Sequence, residues 1–274
     1  MGSLLGTLLA ATAALYTLSA ISHLLCVFRH GYEAVARCAT RVSWAAHSTT
    51  LVLLLAYTGR MPVYTRFEFA FLFTWFLVGV HVLIEVLREN QTAGPFLLPL
   101  IAVLQVAGVA QWGAAHESLG LHHLPGSLVG WHVGVMLLGY GFLAASFVSA
   151  GLYLLQERNL RVKRWGPIYY RLPSLESLDL WGGRFVYVGF LLLTIGMAVG
   201  IAFAQGLWQQ PWRWDPKVVF TVLIWLVYAG YLLMRNLRGW GGRWAAWWSV
   251  IGMAGLLINY LVVNALSYMH RYGV

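Results

Sequence analysis

Nine histidines and one tryptophan-rich stretch carry most of the chemistry this sequence can do. The stretch reads Trp208-Gln-Gln-Pro-Trp212-Arg213-Trp214-Asp215-Pro216-Lys217 and sets three tryptophans, one acid and two bases between two long apolar segments. Indole rings offer flat π-faces, which suit a flat aromatic ligand such as haem. Arg213 and Lys217 stand where they can meet two propionates through charge-assisted hydrogen bonds. Asp215, directly before Pro216, suits a helix N-cap better than an iron ligand.

The elements that must hold these residues are membrane helices. Of the 274 residues 60% are hydrophobic and 10% charged, and mean hydropathy is +0.70. Soluble domains carry about 25% charged residues. The expected fold is all-α, a single polytopic domain of eight transmembrane helices at roughly 4–28, 41–58, 67–87, 96–113, 128–155, 184–206, 217–235 and 244–268. The first run lacks a basic flank and a small-residue cleavage site and is read as a retained helix.

Orientation follows from the basic residues of the short loops. One set of loops carries thirteen of the 18, among them Arg29, Arg37, Arg158, Lys163 and Arg238; the other carries Arg60, Arg66, Arg213, Lys217 and Arg271. The richer set faces the cytoplasm, so both termini and the external 207–217 loop lie outside. The net charge of +9 is then a topology signal beside anionic lipid, not a nucleic-acid footprint. Cys26 and Cys38 form no Cys-x-x-Cys pair and are expected to be structural. The longest cytoplasmic segment, 157–184, holds Leu175, Leu178 and Trp181 at three-residue spacing. This suits an amphipathic surface helix, either passive or a dock for a cytosolic partner.

Span order then sorts the histidines by depth. His132 falls in the first turns of the fifth span and His270 just past the eighth, both at the outer surface with the tryptophans. Two imidazoles from different helices at matched depth are what a six-coordinate haem iron takes as axial ligands. His116, His122 and His123 fall in a polar outer loop. His23, His47 and His81 lie within spans, where each is either a neutral histidine bonded across helices or a ligand. His81 and His23 are the candidates for a second site in the inner half. An interfacial aromatic belt accounts for Trp240, Trp244, Trp247 and Trp248. By itself it also covers Trp208, Trp212 and Trp214; the acid, the proline and the flanking histidines set these three apart.

From about Gly59 to Val274 the chain resembles the CcsA/HemX branch of the cytochrome c assembly proteins, the haem-handling family with the WWD domain. The family loop reads Trp-Gly-x-x-Trp-x-Trp-Asp-Pro-Lys-Glu. Here Gln209 replaces the glycine and Val218 the glutamate. Gly59-Arg-Met-Pro62, Leu172-Pro-Ser-Leu-Glu-Ser-Leu-Asp179, Gly189 to Gly196 and Asn264 followed by Met269-His270-Arg-Tyr-Gly273 match further family positions in order.

The resemblance implies non-covalent b-type haem at the outer face of a bacterial inner membrane, with the tryptophan loop against the ring and His132 and His270 on the iron. It implies either of two roles. The CcsA type works with a CcsB partner to present haem to the Cys-x-x-Cys-His motif of apocytochrome c. In such a haem lyase system the chain supplies position and redox protection, and by itself it is not expected to be an enzyme. The shorter HemX type is linked to control of glutamyl-tRNA reductase. The CcsA type has a histidine late in the seventh span, in a Tyr-Leu-His-x-Arg pattern. Here Tyr231-Leu-Leu233-Met-Arg235 puts leucine there, which favours the HemX type or the use of His81 or His23 instead. A b-type electron-transfer cytochrome is the third reading and requires a second haem on the inner side.

Overall fold

A computed structural model describes residues 2–29, 31–63, 65–88, 93–118, 127–163, 166, 169–170, 172–208 and 214–260, apart from the side chains of 66, 87–88, 113–118, 127–129, 203 and 206–208. Among these residues all regular structure is helical. The helices are α1 (Gly2–Phe28), α2 (Glu33–Thr58), α3 (Arg66–Arg88), α4 (Gly94–Ser118), α5 (Ser127–Arg161), α6 (Leu175–Trp208), α7 (Pro216–Arg238) and α8 (Gly242–Ile258).

Six of them, α1 and α3 to α7, are long and apolar enough to cross a membrane, which makes this a multi-pass membrane protein. α2 falls short because Ser43, His47, Ser48, Thr49 and Thr50 interrupt its middle, and α8 is described over only 17 residues. The distribution of side chains agrees. Thr12, Ser19, His23, Thr40, Ser43, His47 and Thr50 are buried, while Leu18, Ile21, Leu24, Leu223, Leu226 and Leu237 are exposed. In water such apolar faces would be a liability; in lipid they are the solvated surface and polar groups must turn inward.

Local sequence sets the helix ends. Gly59 and Gly239 close α2 and α7 at φ 64° and 63°, the left-handed conformation that glycine adopts without strain. Thr65-Arg-Phe-Glu68 forms a capping box at α3: the Glu68 N–H donates to Thr65 Oγ1 at 3.0 Å and the Thr65 N–H to Glu68 Oε2 at 2.9 Å. Arg60 completes it, its Nη1 3.1 Å from Glu68 Oε1. α5 and α6 have 35 and 34 residues, about 50 Å each at 1.5 Å per residue. Both outrun a hydrocarbon core of about 30 Å. The amphipathic stretch 175–181 is accordingly the opening of α6, continuous with its apolar part.

The helices sort into two compact units, essentially residues 1–125 and 126–272. In the first, α1 packs on α2 and α4, and α3 on α2 and α4. In the second, α5 packs along α6 and against α8, and α7 packs on α8 and α6. One polar clamp ties three helix ends of the second unit. Arg235 donates from Nη1 to Asp179 Oδ1 at 3.0 Å and from Nη2 to Oδ2 at 2.9 Å, and the Gly242 N–H donates to Oδ1 at 2.7 Å. The close face of Gly183 leaves room for the guanidinium, since a Cβ there would lie 2.8 Å from Arg235 Cζ.

Asp179→Ala should therefore destabilise the protein by on the order of 2–3 kcal/mol, because it strands a partly buried guanidinium and the N–H of Gly242. Thermal melts in detergent of Asp179→Ala, Arg235→Ala and the double variant check this. Additive losses in the double variant would show that the pair is not coupled.

Candidate functional site

His132 stands on α5 where that helix runs against a row of small residues on α6. A Cβ on Gly189 would lie 3.1 Å from the Gly139 carbonyl oxygen, one on Gly196 would lie 2.6 Å from Met136 Sδ, and one on Gly200 would lie 2.6 Å from His132 Cε1. The Gly196-x-x-x-Gly200 pair thus admits a methionine and the imidazole where any larger residue would push them out. His132 Nδ1 lies 2.7 Å from the Gly196 carbonyl oxygen. A carbonyl only accepts, so Nδ1 carries the proton, and in the neutral ring Nε2 keeps its lone pair. This is the arrangement by which a backbone acceptor fixes the tautomer and orientation of a metal-ligating imidazole.

The tryptophan-rich stretch contributes Trp214, Asp215 and, at the start of α7, Lys217. Asp215 is fully buried and caps α7: its Oδ1 accepts from the Lys217 N–H at 2.9 Å, with Pro216 in the first turn, where its missing N–H costs nothing. Trp214 is 77% exposed. The Lys217 ammonium is near enough to His132 for its charge to act on the imidazole. Lys217 itself stands in the first turn of α7, directly after the Asp215 cap. Trp212, Arg213 and His270, and the side chain of Trp208, lie outside the described residues, as do His122, His123 and the side chain of His116.

The span histidines of the first unit sit in a polar seam. His47 Nδ1 lies 3.1 Å from Tyr16 Oη and 3.4 Å from Gln105 Nε2, and Gln105 donates to Thr74 Oγ1 at 2.7 Å. His23 Nε2 lies 2.9 Å from Thr40 Oγ1, which is 2.8 Å from Ser19 Oγ. His81 stands edge-on to His23, ring centroids 6.0 Å apart, one helical turn from buried Glu85. Sequence reasoning missed Glu85, Gln105 and the Asp179–Arg235 clamp. For Glu85 the signal was its spacing: His81 and Glu85 are four apart on one apolar helix and so share a face.

A model of the cytochrome C assembly protein family matches residues 18–270. The chain belongs to that family. It is 26% identical to the protein HemX of Bacillus subtilis, over 94% of this chain and 95% of that one. It is 29% identical to the cytochrome c biogenesis protein CcsA of Trieres chinensis, over 78% of each. It is 31% identical to the CcsA of Prochlorococcus marinus strain MIT 9515, over 79% of this chain and 76% of that one. The cytochrome c assembly match takes in both units, from the middle of α1 to His270.

In this family member the glycine seat of His132 gives a direct prediction. Gly200→Ala drives a methyl into the imidazole and should cost about 1–3 kcal/mol, the usual penalty of overpacking. His132→Ala in the same chain should recover most of that loss, because it removes the overlapping ring. Equal destabilisation by Gly200→Ala with and without His132, in detergent melts, would mean that the ring does not occupy the seat.

Proposed function

We propose that this protein binds haem non-covalently at the outer face of a bacterial inner membrane and holds or presents it for cytochrome c assembly. His132, through Nε2, and His270 would hold the haem iron. Trp208, Trp212 and Trp214 form the platform for the ring, and Arg213 and Lys217 meet the propionates. Asp215 serves by holding the loop to the start of α7. The same reading takes the chain to have eight spans with both termini outside. The observation that carries the reading is the His132 hydrogen bond to Gly196, which fixes the ring and leaves Nε2 as its basic nitrogen. The names of the CcsA relatives support the pathway.

When bound, the haem supplies an iron that changes redox state and vinyl groups that an apocytochrome's cysteines can add to. The chain's own part is to orient one imidazole, offer π-faces, place cations at the rim and keep the ring's edge accessible. No nucleophile is required of it, and a CcsB-like protein and the apocytochrome are the partners on the outer side.

Absorption spectra of the purified protein, oxidised and reduced, with pyridine haemochrome quantitation, test the site. The wild type should show a low-spin bis-histidine spectrum, while His132→Ala and His270→Ala should each retain less haem by at least about tenfold or turn high-spin. Unchanged haem content and spectrum in both variants would remove the assignment.

A second reading rests on the near full-length match to HemX and on Leu233. In it the protein regulates tetrapyrrole synthesis by docking glutamyl-tRNA reductase on the cytoplasmic segment 157–184, with haem as the sensed ligand. It predicts co-purification of that enzyme with the wild type and its loss when exposed Arg158, Arg161 and Leu180 are replaced by alanine. Equal capture by the wild type and that variant would reject it.

A further inference from the structure

Away from the His132 site, the first unit contains three donor groups that converge without a hydrogen-bond partner at the converging atoms. His23 on α1 and His81 and Glu85 on α3 each offer one ligand atom, and these atoms lie within 4.8 Å of one another. All three residues are buried, at 0%, 3% and 2% exposure. His23 Nδ1, His81 Nε2 and both Glu85 carboxylate oxygens make no hydrogen bond. The nearest cation, Arg41, is 3.8 Å from Glu85 Oε2 and half exposed, so it does not neutralise the group at close range. Two imidazole lone pairs and a carboxylate left bare in an apolar interior are costly. A cation between them removes that cost.

We propose that His23, His81 and Glu85 form a binding site for a divalent first-row transition-metal ion. Two imidazole nitrogens and one carboxylate oxygen are the donors of open zinc and non-haem ferrous centres, while calcium and magnesium take oxygen sets. The same geometry disfavours a second haem here. A haem iron gives four positions to the porphyrin and leaves two opposite ones, so a third side chain converging with both histidines has no place. Thr40, which bonds the other nitrogen of His23, fixes that ring as an outer partner does for a metal-ligating imidazole. α1 and α3 each pack mainly on α2 and α4, so the ion would tie together two helices that otherwise share little contact. Its residual positive charge is tolerated because Arg41 is half exposed and free to turn outward.

The site is independent of the haem reading, since it uses other side chains in the other unit. The test uses the full chain in detergent, stripped with chelator and titrated with Co2+, whose visible bands report nitrogen and oxygen donors, followed by displacement with Zn2+. The wild type should take up one Co2+ per chain, and Zn2+ should raise its melting temperature. Glu85→Gln, which keeps the volume and removes the charge, should melt like the wild type without metal. It should bind Co2+ more weakly by over about tenfold and lose the Zn2+ stabilisation. His23→Asn and His81→Asn should lose the bands. Failure of the wild type to bind, binding unchanged in all three variants, or loss of haem rather than Co2+ in the histidine variants would each overturn the proposal.

Discussion

The seat of His132 depends on how closely α5 can approach α6. An imidazole reaches a carbonyl inside another helix only if nothing but hydrogen stands between the two backbones. Gly139, Gly189, Gly196 and Gly200 provide that clearance. The Gly196 oxygen already serves its own helix ladder, and the bond from His132 uses the second lone pair that every carbonyl has. One contact therefore does three jobs. It satisfies an N–H that lipid could not, it locks the ring, and it dictates which nitrogen stays basic. The capped start of α7 is the complementary constraint, because Asp215 fixes where the loop ends and where Lys217 begins.

The two units meet the low dielectric of the membrane in different ways. The second closes its polar groups locally: Asp179 takes Arg235 and the Gly242 N–H, Ser146 meets Ser249, and Trp225 donates to Thr194. The first strings hydroxyls, an amide and imidazoles along the α1–α2 boundary. Thr12 bonds Thr50, Tyr16 bonds His47, and Ser19 bonds Thr40. This is why α2 looks marginal as an apolar segment yet is well buried on one face. Thr40 and Thr50 face α1 and Ser48 takes the indole N–H of Trp75 on α3, while Thr49 is exposed. Most of them also bond a carbonyl one turn back, which halves the demand for an outside partner.

Much of this was legible in the sequence. Asp-Pro before an apolar run predicts the α7 cap, glycines after Thr58 and Arg238 predict the stops, and small residues four apart predict the tight helix pair. The capping box at Thr65 was written in the same way, as threonine followed three residues later by glutamate, yet the acid draws attention as a charge rather than as a cap. Other features could not be read along the chain. Asp179 and Arg235 are 56 positions apart and only their fold makes them a pair. The 175–181 stretch has an amphipathic pattern, but pattern alone does not say whether a helix stops at the membrane surface or runs on; only the continuity of α6 decides it. The depth of His23 and His81 was legible from span order, while their convergence with Glu85 required knowing which faces of α1 and α3 turn toward each other.

Leu233 stands where the CcsA-type pattern noted in the sequence has a histidine. Tyr231, two residues earlier, is buried in the second unit, and Arg235, two residues later, is tied to Asp179. Leu233 lies on the opposite side of α7, 52% exposed, in line with Leu226 and Leu237. A histidine at that position would put an ionisable ring on an apolar face, a cost that is met only where another ring or another helix covers it. Leucine needs no such cover. The face is therefore self-sufficient in lipid as it stands.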